Sequence, residues 1–326
     1  MSSKMEKIKR SIINFLWMNK KKFELSIKYY LKTNFSNQKY DKCCVLKFDG
    51  RVYSGGLADR LKSAVLIYAI CKTKDIPFKI YFSVPFKLQD ILTPNMYNWI
   101  IAEKELTKSI FDTKIITSFI GKLELNYRNK KQIHSYNFGG GDINDINYQY
   151  HTNYSFSSLF QELFKPGEIL SLQIDNMKKL IGGPYISVCF RFQSILGDFY
   201  EGEYYRKKGL TFDEKQKEEL IESTVNSLLM ISERHPNNTI LVTADSSIFL
   251  SKINKIPKIW TIPGEIIHME YTRNNAISVY RKSFLDLYML SGGEKIYRVS
   301  GKGLYESGFP MVAAFMADKE IEYINL

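Results

Sequence analysis

Tyr185-Ile-Ser-Val-Cys-Phe-Arg-Phe-Gln193 is the stretch that decides the fold of this 326-residue chain. The run is mostly apolar, Gly182-Gly-Pro184 precedes it, and an arginine stands at its end. Short apolar runs bounded by glycine and proline are typical of buried strands. We therefore predict a strand over Tyr185–Arg191, with Arg191 at its carboxyl end.

Strands and helices alternate on both sides of this run. In parallel sheets built from such alternation, helices cover both faces and ligands bind at the carboxyl ends of the strands. We expect an α/β protein with two such halves facing each other across a cleft. Further strands are predicted at residues 43–48, 78–82, 114–119, 135–138, 239–243, 259–262 and 295–299. Helices are predicted at residues 57–71, 280–290, 305–315 and from a capping box at 211–214 to about 234, and residues 142–155 are predicted to be a connection.

The composition favours a folded protein and locates its positive charge. With 44% hydrophobic residues the chain can bury a core. The net charge is +12, and residues 1–40 carry +8 of it, from ten basic and two acidic residues. A nucleic-acid-binding protein, which a basic chain with 22 tyrosines could suggest, would spread basic residues over its surface. We therefore disfavour a role with nucleic acid.

Residues 5–31 show apolar side chains at helical spacing among these basic residues. Two interpretations are open: the helix packs on its own domain, or its basic face binds an anionic membrane. No apolar run reaches the roughly 20 residues of a membrane span. The four cysteines have no CxxC spacing, which indicates a reducing, cytoplasmic location and gives no metal-binding pattern. We expect three parts: 1–40 as the basic helix, 41–165 as an acceptor-side domain and 166–326 as a nucleotide-sugar-binding domain.

Four strand-end motifs are candidates for binding a ligand: two suit an anion, one adds Arg191, and Asp245-Ser246 could equally cap the next helix or bind a base or ribose. Paired glycines and a helix N-terminus suit a phosphate, and an arginine supplies a planar fork for it. Each motif could instead be an ordinary turn or helix cap. Because all four are expected at one cleft, they favour a substrate that carries phosphates, such as a nucleoside diphosphate sugar. The candidate binding residues are Gly55, Gly56, Arg60, Arg191, Asp245, Ser246, Lys302, Ser307 and Gly308.

These motifs resemble those of the fucosyltransferases of the α1,2-, α1,6- and protein O-fucosyltransferase superfamily. Gly55-Gly-Leu-Ala-Asp-Arg60 is similar to their amino-terminal loop, and Tyr185–Gln193 to the strand with their essential arginine. Cys189-Phe-Arg191 stands where those enzymes usually have His-x-Arg. Asp245-Ser246 resembles their third motif, and residues 286–308 their carboxy-terminal region.

The resemblance implies a GT-B-like fold of two Rossmann-like domains and inverting transfer from GDP-fucose without a metal. By that analogy Arg191 holds the diphosphate, while Asp245, Ser246 and Ser307 contact the nucleotide. The chain contains no Asp-x-Asp, the pair that holds the cation in metal-dependent GT-A enzymes. The acceptor would be a bacterial-type surface glycan or glycolipid, and the donor could be another nucleotide sugar.

A carboxylate is needed to take the proton of the acceptor hydroxyl. Asp198, seven residues after Arg191, is the first choice, and Glu201 is the second catalytic candidate. Glu203 and Asp59 stay open. The alternative function is a non-catalytic protein of the same fold that binds a nucleotide sugar or a carbohydrate.

Overall fold

The structure is a computed structural model that describes residue 16 and residues 19–31, 40–117, 125–136, 141–201, 211–269 and 276–326. The chain divides into two compact units. The amino-terminal unit comprises Met1–Gly55, Asp59–Gln89 and Pro94–Phe164, and the carboxy-terminal unit comprises Gly56–Ala58, Asp90–Thr93 and Lys165–Leu326.

Strands and helices alternate along the carboxy-terminal unit from residue 168 onward, as the sequence predicts, whereas the four strands of residues 78–135 follow one another with no α-helix among the described residues between them. The strands are β1 (Cys43–Phe48), β2 (Phe78–Phe82), β3 (Leu92–Pro94), β4 (Thr113–Ile116), β5 (Gln132–Ser135), β6 (Phe164–Pro166), β7 (Tyr185–Cys189), β8 (Thr239–Thr243), β9 (Ile259–Thr261), β10 (Ile296–Ser300) and β11 (Ile321–Asn325). The helices are α1 (residues 19–29), α2 (Leu57–Thr73), α3 (Ile143–Tyr150), α4 (Phe156–Leu163), α5 (Glu168–Ile181), α6 (Glu214–Arg234), α7 (Ser247–Ile253), α8 (Ile277–Gly292) and α9 (Phe309–Ala317).

Each unit has its own parallel sheet. The amino-terminal sheet has the strand order β2-β1-β5-β4, and the carboxy-terminal sheet has the order β11-β10-β7-β8-β9. Strands β1 and β7 are buried at every position because neighbouring strands lie on both sides and helices cover the faces. The predicted α/β architecture with parallel sheets is thereby confirmed.

Helix α8 packs against β7 through two glycines at its end. A Cβ on Gly293 would lie 2.2 Å from Oγ and 3.0 Å from the backbone nitrogen of Ser187. A Cβ on Gly292 would lie 2.3 Å from the hydroxyl of Tyr185, which donates to the carbonyl of Met289. Only glycine permits this close approach of helix to strand.

The described part of the basic helix is anchored on the amino-terminal unit. Leu25 and Tyr30 are buried in a small core, and the backbone nitrogen of Ile110 donates to the carbonyl of Tyr30. Phe23 and Ile27 share the opposite face of α1 and are exposed, and Leu16 is exposed as well. One face of α1 therefore packs on the amino-terminal unit, as the first of the two interpretations expects. The other face is exposed to solvent.

Several predicted boundaries differ from the structure for local reasons. Residues 142–155 contain α3, whose N-cap Asp142 accepts from the backbone nitrogen of Asn144. The capping box of α6 is Asp213 with Gln216, two residues beyond the predicted position. Helix α9 begins at Phe309, four residues beyond the predicted start, with Gly308 as its N-cap and Pro310 in its first turn, where proline is favoured. Residues 1–15, 17–18, 32–39, 118–119 and 137–138 of the predicted elements lie outside the described residues.

Candidate functional site

The carboxyl ends of β7 and β8 carry a charged centre in the carboxy-terminal unit. Arg191 lies two residues beyond β7 and Asp245 two residues beyond β8. The two strands are parallel neighbours with Cys189 opposite Thr243, so the register brings the two side chains together. Nη1 of Arg191 lies 3.2 Å from Oδ2 of Asp245. Two of the predicted site residues therefore meet at the expected edge of the sheet.

Asp245 holds the turn that follows Arg191. Its Oδ1 accepts from the backbone nitrogen of Phe192 and its Oδ2 from that of Gln193, each at 2.7 Å. Gln193 has a left-handed φ of 55°. Burial raises the pKa of Asp245, while Arg191 and the two backbone donors lower it. This carboxylate fixes both the loop and the guanidinium.

Glu201 is the second carboxylate on Arg191. Its Oε1 contacts Nη2 of the guanidinium, which also lies over the ring of Phe199 at 4.8 Å. Glu201 is 4% exposed, and its Oε2 is buried with no hydrogen-bond partner among the described residues. Two carboxylates thus face one guanidinium, and the three side chains have a formal charge of −1. A buried oxygen without a donor costs stability, which an additional ligand or a change of partner would relieve.

Asp198, the first choice for the base in the sequence analysis, lies at the start of α7, and its catalytic role stays a prediction. Its Oδ2 accepts from Oγ of Ser246 at 3.0 Å, from Oγ of Ser247 at 2.9 Å and from the backbone nitrogen of Ile248 at 2.8 Å. An acidic side chain on the first N–H groups of a helix stabilises that helix. Asp198 therefore anchors the start of α7.

Ser246 is the N-cap of α7. Its Oγ accepts from the backbone nitrogen of Phe249 at 3.1 Å while it donates to Asp198, and the side chain is fully buried. Of the two roles weighed for the Asp245-Ser246 motif, the capping role describes Ser246. The predicted contact of Ser246 with a nucleotide stays a prediction.

The loop between β10 and α9 lies beside Arg191. The chain runs from β7 to β8 and β9 on one side of the sheet, then to β10 and β11 on the other. The reversal makes the β7–β10 boundary the topological switch point, where ligands of open parallel sheets bind. The backbone nitrogen of Tyr305 donates to the carbonyl of Arg191 at 2.8 Å. Two of the four predicted motifs therefore meet at the switch point.

Within that loop the predicted binding residues differ in their contacts. Nζ of Lys302 donates to Oγ of Ser223 on α6 at 2.8 Å, so its ammonium is held by a neighbouring helix. Oγ of Ser307 accepts from the backbone nitrogen of Phe309 at 3.1 Å, at the start of α9. Gly308 is the N-cap of α9, and a Cβ there would meet nothing within 4 Å.

The glycine loop before α2 belongs to a different sheet. Gly55 has a left-handed φ of 70°, and Gly56 directly precedes α2. Arg60 is buried: its Nε donates to the carbonyl of Gly55 and its Nη1 to that of Val84. These bonds tie the loop before α2 to the segment after β2. Arg60 therefore supports the loop, and its predicted contact with a phosphate stays a prediction.

The four cysteines are buried and have free thiols. In the part of the chain that the structure describes, no group of three or more His, Cys, Asp or Glu side chains could hold a metal ion. No helix within the described ranges is long and apolar enough to cross a bilayer. Glu203 lies outside the described residues.

A second charged cluster, which the sequence analysis missed, lies at the carboxyl edge of the amino-terminal sheet. Lys47 and Asp49, at the end of β1, are buried and separated by 3.2 Å between Nζ and Oδ2. The hydroxyl of Tyr136, directly after β5, donates to Oδ2 of Asp49 at 3.4 Å. A lysine in an otherwise apolar strand, followed by Asp49-Gly-Arg51, is the signal that could have revealed it.

No protein-family model matches the sequence, and no curated protein is similar to it in sequence. Solved structures are similar in fold. A variant of Arabidopsis thaliana FUT1 in complex with GDP is 9% identical, with a TM-score of 0.53 over 94% of this chain and 74% of that chain. The α-1,6-fucosyltransferase NodZ soaked with GDP-fucose is 10% identical, with a TM-score of 0.51 over 85% of this chain and 93% of that chain.

NodZ from Bradyrhizobium is 11% identical, with a TM-score of 0.50 over 84% of this chain and 93% of that chain. At these identities the likeness establishes the fold. The chain therefore has the fold of fucosyltransferases, which are glycosyltransferases, and the predicted GT-B-like α/β class is confirmed.

Proposed function

We propose that this protein is a glycosyltransferase that takes its sugar from a GDP-linked donor, with GDP-fucose as the expected donor. The observation that carries the proposal is the position of Arg191, at the switch point of the carboxy-terminal sheet and bonded to the loop before α9. FUT1 and NodZ, which share the fold, were each solved with GDP or GDP-fucose.

The donor diphosphate would bind the guanidinium in place of Glu201. Arg191 lies between two carboxylates, and Asp245 is held by backbone donors while one oxygen of Glu201 has no donor. Glu201 is therefore the partner that exchanges more easily. A diphosphate gains charge-assisted hydrogen bonds from the arginine fork.

Once displaced, Glu201 would serve as the base, in preference to Asp198. The acceptor hydroxyl attacks C1 of the sugar while the bond from C1 to the β-phosphate oxygen breaks, with inversion. The hydroxyl proton passes to the Glu201 carboxylate, and the negative charge that develops on the leaving GDP is stabilised by Arg191. The step is balanced without a metal, so we propose metal-independent transfer.

The acceptor is proposed to be a surface glycan or glycolipid, met at an anionic membrane surface. The exposed face of α1 supports this partner: apolar Phe23 and Ile27 lie among exposed lysines such as Lys20 and Lys28. Apolar side chains between basic ones suit the headgroup region of anionic bilayers.

A thermal-shift panel tests the donor assignment. GDP and GDP-fucose are expected to raise the melting temperature, since a ligand that binds only the folded state stabilises it. UDP, CDP and ADP serve as controls, and a larger shift with one of them would assign another nucleotide sugar.

Turnover separates the enzyme from a binding protein of the same fold. Release of GDP from GDP-fucose, in the presence of acceptor-containing membranes and excess EDTA, is the expected result. Tight donor binding without any release of GDP would favour the non-catalytic alternative. Loss of release in EDTA, restored by Mg²⁺ or Mn²⁺, would contradict metal-independent transfer.

A further inference from the structure

The end of β1 in the amino-terminal unit carries more charge than the fold requires. The side chain of Lys47 is 3% exposed and that of Asp49 is 5% exposed, and the two form a buried ion pair within the amino-terminal unit. Arg51 adds a second cation, with Nε 3.5 Å from Oδ2 of Asp49, so the three side chains have a formal charge of +1. Buried ion pairs are often no more stabilising than apolar side chains of the same volume. Their presence at a sheet edge therefore calls for another explanation.

Aromatic rings surround this cluster and orient it. The ammonium of Lys47 lies 5.4 Å from the ring centroids of Tyr81 and Tyr136, and the guanidinium of Arg51 lies 4.1 Å from that of Tyr29 on α1. The side chain of Arg51 is 32% exposed. A guanidinium has five N–H donors, and its contacts with Asp49 and Tyr136 employ only part of them. Arg51 therefore presents a rigid, partly desolvated fork to solvent.

The position of the cluster is where a parallel sheet binds ligands. The chain leaves β1 for β2 on one side, and β4 and β5 lie on the other side of β1. The boundary between β1 and β5 is therefore the switch point of this sheet. Asp49 and Arg51 follow β1, and Tyr136 follows β5. The same topological rule that singles out Arg191 in one unit singles out Arg51 in the other.

We propose that Arg51 at this edge binds an oxyanion of the acceptor, a carboxylate or a phosphate, with Tyr29 and Tyr136 flanking it. Lys47 neutralises Asp49, which leaves the charge of Arg51 for the ligand. A planar guanidinium matches both oxyanions with two parallel hydrogen bonds. The proposal rests on the proposed glycosyl transfer for the statement that the ligand is the acceptor. It makes the acceptor an acidic sugar or a phosphorylated glycan.

Three sugars of one skeleton test the proposal: glucose, glucuronic acid and glucose 6-phosphate. Each is titrated into the full-length protein with saturating GDP, which occupies the proposed donor site, and binding is followed by ligand-observed NMR. At least one of the two acids is expected to bind ten-fold or more tightly than glucose, and the stronger one identifies the source of the oxyanion. Equal binding of all three sugars would overturn the proposal.

Variants locate the binding. Arg51→Gln should remove the preference for the acid, and Arg51→Lys should retain part of it because the charge remains without the fork. Lys131→Gln is the matched control: Lys131 pairs with Asp112 at the opposite, amino edge of the same sheet, and its loss removes the same charge. An acid preference that survives in folded Arg51→Gln, or that Lys131→Gln removes equally, would overturn the assignment. If GDP causes no thermal shift, the proposed donor site is contradicted. The sugar titrations would then test the oxyanion site at Arg51 by themselves.

Discussion

Arg191 and Asp245 meet across the ends of two adjacent parallel strands, with 3.2 Å between Nη1 and Oδ2. Asp245 also accepts from the two backbone nitrogens that follow Arg191, so one buried carboxylate sets both the loop and the arginine. The arginine is therefore presented at a fixed position, as recognition of a diphosphate requires.

Variants of Asp198 and Glu201 should separate an effect on stability from an effect on catalysis. Asp198→Asn is expected to destabilise the protein by about 1 kcal/mol, since it weakens the anchor of α7, with a small effect on kcat. Glu201→Gln is expected to lower kcat by about 100-fold or more, because the base is lost. Chemical denaturation and steady-state kinetics on both variants make the comparison. A large kcat loss in Asp198→Asn alone would restore the assignment suggested by the sequence.

Lys47 should lose its proton at a much lower pH than an ordinary lysine does. Burial lowers its pKa to about 8, against the opposing effect of Asp49, and tyrosines 30, 81 and 136 also face its ammonium. Because the folded state holds this proton less tightly than the unfolded chain, the group costs stability below pH 8, and that cost disappears as the pH rises toward 10.5. In protein labelled with ¹³C at lysine Cε, one resonance should titrate near pH 8 and be missing in Lys47→Met. A spectrum in which every lysine titrates near pH 10.5 would refute the buried pair.

The packing of α8 on β7 should not tolerate a methyl group. Gly293→Ala is expected to cost about 1–3 kcal/mol of unfolding free energy, because the new Cβ meets the backbone nitrogen of Ser187. Gly183→Ala is the control: a Cβ there meets nothing within 4 Å, so its effect should stay within about 0.5 kcal/mol. Equal unfolding free energies for the two variants in urea titrations would contradict this contact.

The exposed face of α1 should bind anionic vesicles. Wild-type protein is expected to co-sediment with vesicles of phosphatidylglycerol and phosphatidylcholine, and added salt should weaken binding because it screens exposed charge over about 8 Å at physiological ionic strength. Phe23→Ser with Ile27→Ser should abolish binding without unfolding, since both side chains are exposed. Leu172→Ser with Leu180→Ser, exposed on α5, is the control. Equal vesicle binding by both double variants would argue against α1 as the contact.

The elements with clear periodicity could be predicted from the sequence, and the contacts of individual polar groups could not. Strand β1 and the start of α2 agree residue for residue, because an apolar run ended by glycines has one plausible structure. Asp198 looked like a base because it follows a strand-end arginine. Its contacts are with Ser247 and Ile248, some 50 residues away, whose approach only the folded sheet brings about. The contacts of Arg60 could not be predicted for the same reason, since its partner Val84 follows another strand.

The most direct test of the central claim is calorimetric titration of GDP into wild-type protein and into Arg191→Lys, with the ligand-free melting temperature of each as the check on folding. The variant keeps the positive charge between Glu201 and Asp245 but loses the planar fork that would bind the diphosphate. We predict that the wild type binds GDP and that the folded variant binds it at least ten-fold more weakly. Equal GDP affinity of the two proteins, or no binding by the wild type, would contradict a donor site at Arg191.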